Sequence, residues 1–285
     1  EFDYLGRRIQ INKGHTTISM EGNIRKWIEG ADAPIGAHAI EVPHTADLFS
    51  VDTKSPDLTE EQATLFHSSV AQGQWIAQRA RPDLATVIAF LAHRVTKPTM
   101  QDREKLGRLL TYAKYTIHER LHIMPKNQQL EVYIDASHAI HDDKRGHTGA
   151  ALMMGGSIIY TRSMRVKRNT KSSTETELMA TTDQVPNTIW VSHFLESLHI
   201  PFITSTPVVW CKQDNTSTMT LLNKGPSGKQ ATRHIEIRHF WLTEFIAYEE
   251  LILQYCPTEE MLADLFTKAV TAALFRKFKD ALGIR

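Results

Sequence analysis

Four acidic residues, in the order Asp, Glu, Asp, Asp, stand in the second half of the chain where carboxylates can do chemistry. Asp135 closes the stretch Leu130-Glu131-Val132-Tyr133-Ile134-Asp135, whose period of two predicts a strand with one buried face. An acid at the C-terminal mouth of an α/β strand faces the crevice where such sheets bind ligands, although acids also end strands as plain turn formers. Glu177 lies in Ser172-Ser173-Thr174-Glu175-Thr176-Glu177-Leu178-Met179-Ala180, a helix start in which Ser172/Glu175 and Thr174/Glu177 both have capping-box spacing. One of these glutamates is therefore structural; Glu175 suits the cap and Glu177, deeper in the helix, suits the crevice. Asp214 follows the apolar run Val208-Val209-Trp210-Cys211, and either it or Asn215 can cap the helix expected from Thr216. Asp264, flanked by Leu262, Ala263 and Leu265, falls toward the buried side of an expected helix, where a carboxylate needs a partner or a metal.

Four acids drawn from two strand ends and two helices can hold a pair of hard divalent cations. Mg²⁺ takes oxygen ligands and keeps several waters, so few carboxylates per ion suffice. Two such ions ~3.5–4 Å apart activate a water on one side of a phosphate and stabilise the leaving oxygen on the other. The cations also remove a charge conflict, because bare carboxylates repel nucleic acid.

The elements that must position these acids follow from pattern and punctuation. Residues 4–20 read as a β-hairpin around Asn12-Lys13-Gly14, followed by a short helix over 21–28 that stops at Gly30. Residues 31–56 lack a clear period and are expected to form a long surface connection. Thr59 with Gln62 is a capping-box pair opening a helix to about Ala80. Pro82 and the series Leu84, Val87, Ile88 and Leu91 mark a second helix, and 101–119 a third. Residues 125–129 form the best linker. Beyond it we expect strands at 130–135, 148–154 and 157–163, a helix pair over 173–198 and a strand at 207–213. Helices at 215–223 and 232–248, a strand at 250–256 and a helix over 258–282 complete the pattern. Three hairpin-linked strands followed by alternating helix and strand predict an α/β unit with one mixed sheet flanked by helices.

Composition sets the outer limits. With 285 residues, 41% hydrophobic and 23% charged, the chain has the profile of a globular protein rather than a disordered one. No apolar run approaches a membrane span, and Glu1-Phe2-Asp3-Tyr4 reads as the start of a fragment cut from a longer chain. The two cysteines, Cys211 and Cys256, sit in apolar strand-like runs and are expected to be buried thiols in a reducing, cytoplasmic compartment. Net charge is +1, with 16 basic against 15 acidic residues up to 128 and 17 against 17 after it. A polyanion partner would therefore need local basic clusters or bound cations.

The second half resembles the ribonuclease H domain of copia-type retrotransposon polyproteins. The resemblance rests on Tyr133-Ile134-Asp135-Ala136, Arg145-Gly146-His147-Thr148-Gly149, Ser172 through Glu177, Asp214-Asn215, Thr232 through Arg238, and Pro257 through Lys268, taken in order. It implies a ribonuclease H-like five-stranded mixed sheet and Mg²⁺ (two ions, with Mn²⁺ able to substitute) held by Asp135, Glu177, Asp214 and Asp264. The implied activity is endonucleolytic cleavage of the RNA strand of RNA–DNA hybrids, in the cytoplasm or inside virus-like particles. Residues 1–124 resemble the thumb and connection region of the same polyproteins, through Tyr4-Leu5-Gly6, Gln78 to Asp83, Lys97-Pro98-Thr99 and Leu110 to Lys114. Palm and fingers would be partners from the same polyprotein; the Tyr-x-Asp-Asp hairpin of a polymerase is missing, so no polymerase activity is expected. Lys212-Gln213 departs from relatives that run directly from strand to Asp-Asn, which puts the register there in question. The competing readings are an inactive remnant that binds duplex or partner subunits, and another nuclease or an integrase of the same fold.

Basic residues offer contacts for phosphate. Arg162, Arg165, Lys167, Arg168 and Lys171 form the densest run, the last four being candidates for phosphate contact, and Asn215, Arg233 and His234 are further candidates, against the plainer reading of a solvated sheet edge and helix-layer contacts. Trp190, Trp210 and Trp241 are expected to fill the core. His138, His141 and His147 lack zinc spacing.

Overall fold

The computed structural model describes residues 1–198, 208–224 and 241–285, and its contacts divide the chain into two compact units. The first comprises Glu1–Met124, Ser163–Arg165 and Lys268–Arg285; the second comprises Pro125–Arg162 and Val166–Thr267. The division at Met124/Pro125 falls at the expected linker. The expected extent of the second unit, 130 to 285, differs at its end, because Lys268–Arg285 packs within the first unit.

In the first unit β1 (Phe2–Tyr4), β2 (Arg7–Asn12), β3 (His15–Ser19) and β4 (Leu121–Ile123) form an antiparallel sheet in that order. The expected hairpin is present, with Gly14 in the left-handed region at φ +69°. What read as one strand over 4–11 is broken by a second tight turn at Leu5-Gly6, where both residues have positive φ and only the glycine takes it without steric cost. β4 pairs with β3 through Ile18↔Leu121, a contact a hundred residues apart that local pattern cannot reveal. α1 (Glu21–Glu29), α2 (Glu60–Ala77), α3 (Ala85–Ala92) and α4 (Met100–Tyr115) follow, with α8 (Ala272–Ala281) closing the chain. Thr59 and Gln62 form the expected capping box of α2, and Thr99 with Asp102 forms another on α4.

The connection over 31–56 lacks regular structure, as expected, but it is not a surface strap: His44, Leu48 and Phe49 are buried. Cations of α4 hold it. Arg103 pairs with Asp32 at 2.6 Å, Lys105 donates to Leu48 O at 2.9 Å, and Arg108 donates to His44 O at 2.9 Å. Beneath this lies a buried ion pair, Arg81 Nη2 to Asp83 Oδ2 at 2.7 Å, extended by Tyr112 Oη donating to Asp83 at 2.9 Å and by Arg81 donating to Thr116. Burial opposes the Arg81 charge, but Asp83 beside it outweighs that and holds the guanidinium protonated.

In the second unit β5 (Leu130–Ser137), β6 (His147–Met154) and β7 (Ser157–Arg165) run antiparallel, and β8 (Val209–Gln213) and β9 (Leu251–Tyr255) add in parallel on the other side of β5. The order β7-β6-β5-β8-β9 is a mixed five-stranded sheet flanked by α5 (Ser173–Ser197), α6 (Thr216–Lys224) and α7 (Leu242–Ala247), the α/β class expected. One face is the main core, in which Leu130, Val132, Ile134, Val209 and Cys211 meet Leu178, Val185 and Ile189 of α5. The expected helix pair over 173–198 is one helix; Pro186 lies on its solvent side. Trp190 does not fill the core but is 64% exposed, stacked on Phe194 one turn away. The expected helix over 258–282 is instead two 3₁₀ turns, Thr258–Glu260 and Leu262–Phe266, separated from α8 by residues 267–271. Residues 262–266 are all buried, and such a run has no polar stripe to leave to solvent. Both cysteines are buried thiols, Cys211 pushed up to about 12 and Cys256 to about 11 by burial. None of the described helices is long and apolar enough to cross a membrane.

Asp83→Asn should remove the partner of a fully buried guanidinium and lower stability in urea by about 3–5 kcal/mol. His44 supplies a pH test: burial, with Arg108 nearby, lowers its pKa to about 4 from an ordinary 6.5. The unfolded chain then binds a proton that the folded chain refuses between those values. Stability should be complete above about pH 6.5 and fall by about 3 kcal/mol toward pH 4, and His44→Leu should flatten that part of the denaturation profile.

Candidate metal centre

Asp135, Glu177 and Asp214 each bring a carboxylate oxygen to within 4.8 Å of the others. Two backbone facts place the aspartates. β5 and β8 are parallel with Tyr133 opposite Lys212, so the same register carried two residues further sets Asp135 beside Asp214 at the C-terminal ends of neighbouring strands. The register in question at Lys212-Gln213 is thus in step: Gln213 points inward, 1% exposed, with Nε2 3.4 Å from Thr181 Oγ1. Asn215 caps α6 by accepting from Thr218 N–H at 3.0 Å, which leaves the cap role away from Asp214.

The third carboxylate is aimed by a cap. Glu175 N–H donates to Ser172 Oγ at 3.2 Å, and the Glu175 carboxylate reaches back to accept from Lys171 N–H at 2.6 Å. With Glu175 committed there, the next acid along, Glu177, is buried and joins the cluster. Asp135 is 1% exposed and accepts a short hydrogen bond from Thr267 Oγ1; Asp214 accepts from Thr258 Oγ1 at 3.4 Å.

Asp264 is not one of the three acids within mutual reach. It is buried on the 3₁₀ turn 262–266, three residues before the Thr267 that donates to Asp135. This turn lies on the sheet face opposite α5 because β6 offers a bare backbone: a Cβ on Gly149, which pairs with Asp135, would meet Phe266 Cβ and Thr267 Cγ2 at 2.7 Å. Gly146 does the same service beneath α5, with Thr176 Cγ2 at 2.8 Å. These two glycines explain the Arg145–Gly149 segment in packing terms.

Of the expected phosphate contacts, Lys167, Arg168 and Lys171 are exposed on the loop between β7 and α5, and Arg165 is the last residue of β7. Arg233 and His234 lie outside the described residues. His141 and His147 are buried with Nε2 and Nδ1 2.9 Å apart, a pair that the sequence did not single out beyond its lack of zinc spacing. Thr267 was also missed; only its place at the end of the Asp264 segment hints at its contact with Asp135.

Three carboxylates in this space, two of them buried, repel one another unless protons or a cation intervene. All the donors are hard oxygens, and that set fits Mg²⁺, Mn²⁺ or Ca²⁺ rather than a soft metal. The site can hold a divalent ion.

No protein-family profile matches the chain. It is similar to the Retrovirus-related Pol polyprotein from transposon TNT 1-94 of Nicotiana tabacum, 26% identical over 272 residues that take in 94% of this chain and 20% of that protein. It is similar also to the Transposon Ty1-ER2 Gag-Pol polyprotein of Saccharomyces cerevisiae, 22% identical over 289 residues, 97% of this chain and 16% of that one. Its relatives are thus Pol polyproteins of Ty1/copia-type transposons, and the chain spans a fifth or less of their length. Similar solved structures include the LC11 ribonuclease H1 isolated from compost (14% identity, 49% of this chain and 93% of that one, TM-score 0.37). A second is the N-terminal ribonuclease H domain of a Mycobacterium tuberculosis protein (10% identity, 54% and 99%, TM-score 0.34).

If repulsion among the acids governs the site, Mg²⁺ should raise the melting temperature of the wild-type chain and a chelator should reverse it. Stabilisation by about 2.7 kcal/mol is expected at a hundredfold excess over Kd. Asp135→Asn should lose that response yet melt no lower than wild type in chelator, since one of the three charges is gone.

Proposed function

We propose that this chain is the thumb/connection and ribonuclease H portion of a transposon reverse transcriptase, and that it cleaves the RNA strand of RNA–DNA hybrids endonucleolytically. The observation that carries the proposal is the meeting of Asp135, Glu177 and Asp214 within 4.8 Å from two parallel strand ends and a helix start. Two Mg²⁺ ions, with Mn²⁺ able to substitute, would be held by these three and by Asp264. Such ions, when bound, supply activation of water and neutralisation of charge on the phosphate. The residues of the chain do the rest. Thr267 fixes the Asp135 carboxylate, Ser172 and Glu175 fix the start of α5 and so the direction of Glu177, and Asn215 relieves Asp214 of capping.

Binding a polyanion with a net charge of only +1 calls for local cations. Arg165 at the end of β7 and Lys167, Arg168 and Lys171 on the loop that follows it take phosphate contacts, with Asn215, Arg233 and His234 as further contacts. In the first unit a cavity of about 570 Å³ is lined by Arg8, Arg25, Lys26 and Arg120 against Asp3 and Glu21. That surface suits a duplex-gripping role without chemistry. Palm and fingers of the same polyprotein are the proposed partners, and the cytoplasm the proposed location.

One observation favours a second reading: Asp264 stands outside the mutual reach of the other three acids. A remnant with the fourth ligand displaced would bind hybrid and leave it intact. A labelled hybrid incubated with Mg²⁺ or Mn²⁺ separates the two readings. RNA should be cut in the hybrid and not as single strand or in a DNA duplex, and Asp135→Asn or Glu177→Gln should lower the rate by about a hundredfold or more. Glu175→Gln should keep the rate and cost about 0.5–1 kcal/mol of stability. Binding without cleavage would establish the remnant; loss with Glu175→Gln but not Glu177→Gln would exchange the two glutamates.

A further inference from the structure

His138 stands directly after β5, three residues beyond Asp135, with its ring exposed. Its Nδ1 lies 3.0 Å from Thr176 Oγ1 and 3.1 Å from Thr170 Oγ1, and those two hydroxyls are 2.6 Å apart. The protons in this triangle can be assigned. Thr176 Oγ1 donates to Ser172 O at 3.0 Å, so its single proton is committed. The Thr170 hydroxyl then supplies the proton between the two threonines. With those two protons so placed, the one arrangement that satisfies every contact has Nδ1 as the donor, carrying the hydrogen. In the neutral ring the lone pair is then on Nε2, across the ring from both threonines, and among the described residues Nε2 has no partner.

An exposed, oriented acceptor of this kind is chemically selective. Phosphate and sugar ring oxygens offer only acceptors; the hydroxyl at the 2′ position of RNA is a donor, and DNA lacks it. The location fits as well. Three residues of extended chain cover about 10 Å, and successive nucleotides of one strand advance about 3.4 Å along a duplex. A strand with one phosphate at the acids brings a sugar within about three nucleotides to His138. The loop that contributes Thr170 also carries Lys167, Arg168 and Lys171, all exposed, which would keep the backbone close. Of the acids on the loops around it, Asp143 pairs with Arg145 at 3.3 Å and Glu175 accepts from the Lys171 N–H, while Asp142 is exposed.

We infer that His138 is a specificity-determining residue whose Nε2 accepts a hydrogen bond from one 2′-hydroxyl of the RNA strand, within about three nucleotides of the cut. The inference rests on the hybrid-cleavage reading above and adds the residue that tells RNA from DNA. The test is a set of hybrids each with a single 2′-deoxynucleotide in the RNA strand, cleaved in Mg²⁺ by the full chain. Wild type should lose about three- to tenfold in kcat/KM at one position near the cut. His138→Asn keeps an amide donor near the Nδ1 position and removes the outer acceptor. It should be slower by the same factor on the all-RNA strand and show no further loss at that position. His138→Gln places an amide oxygen near Nε2 and should restore part of the sensitivity. An unchanged deoxy profile in His138→Asn overturns the inference, whether activity is kept or lost. A salt slope reduced by about one with that same profile would assign the ring to a phosphate instead. Should wild type fail to cut the all-RNA hybrid, the nuclease reading itself fails and this inference with it; cutting with no sensitive position overturns the inference alone.

Discussion

The second unit is organised around a costly arrangement, three carboxyl groups brought within 4.8 Å of one another at the end of a sheet. Two of the carboxylates are buried, and a buried carboxylate without compensation is among the costlier things a fold can contain. The surrounding structure must therefore over-determine their positions. Asp135 and Asp214 are fixed by parallel backbone ladders that cannot slip by one residue without turning every side chain to the opposite face. Glu177 is fixed by the first turn of a 25-residue helix whose cap is complete without it. The same crowding that the fold must resist would be relieved by a hard cation, which the three carboxylates together could hold.

The opposite face of the sheet is built to a different rule. There a small cluster of Cys256, Met261 and Ala263 packs with Tyr133, and two 3₁₀ turns replace a continuous helix. Close approach of the second turn depends on Gly149, where a methyl group would strike Phe266 and Thr267. Thr267 reaches Asp135 only because this turn lies so near β6 and β5. A glycine with no chemistry of its own thus sets the hydrogen bonding of a carboxylate in the acidic cluster. In the first unit, by contrast, opposite charges do the organising: Arg81 with Asp83, and the α4 cations on the 31–56 connection, hold segments that have little regular structure of their own.

How much of this was legible beforehand depends on the range of the interaction. The Thr59/Gln62 box and the assignment of Glu175 rather than Glu177 to the cap were readable, since capping involves residues three apart. So were the period-2 strands and their order in the chain. β4, the Leu5-Gly6 break, the single helix through Pro186 and the exposure of Trp190 were not. Each depends on a partner distant in sequence or on which side of an element meets solvent, and neither is a property of a local window.

For the site, the sequence by itself determined which acids stand at strand ends and helix starts, because hydrophobic period and caps are local and mark those ends. Only the tertiary structure decided that Asp135, Glu177 and Asp214 meet while Asp264 remains on a neighbouring turn, and that Thr267 donates a hydrogen bond to Asp135. The physical reason is register. Whether two strand ends bring their last residues level, and how near a turn can approach a strand, is set by ladder pairing and by a single missing methyl group, both of which exist only once the chain is folded.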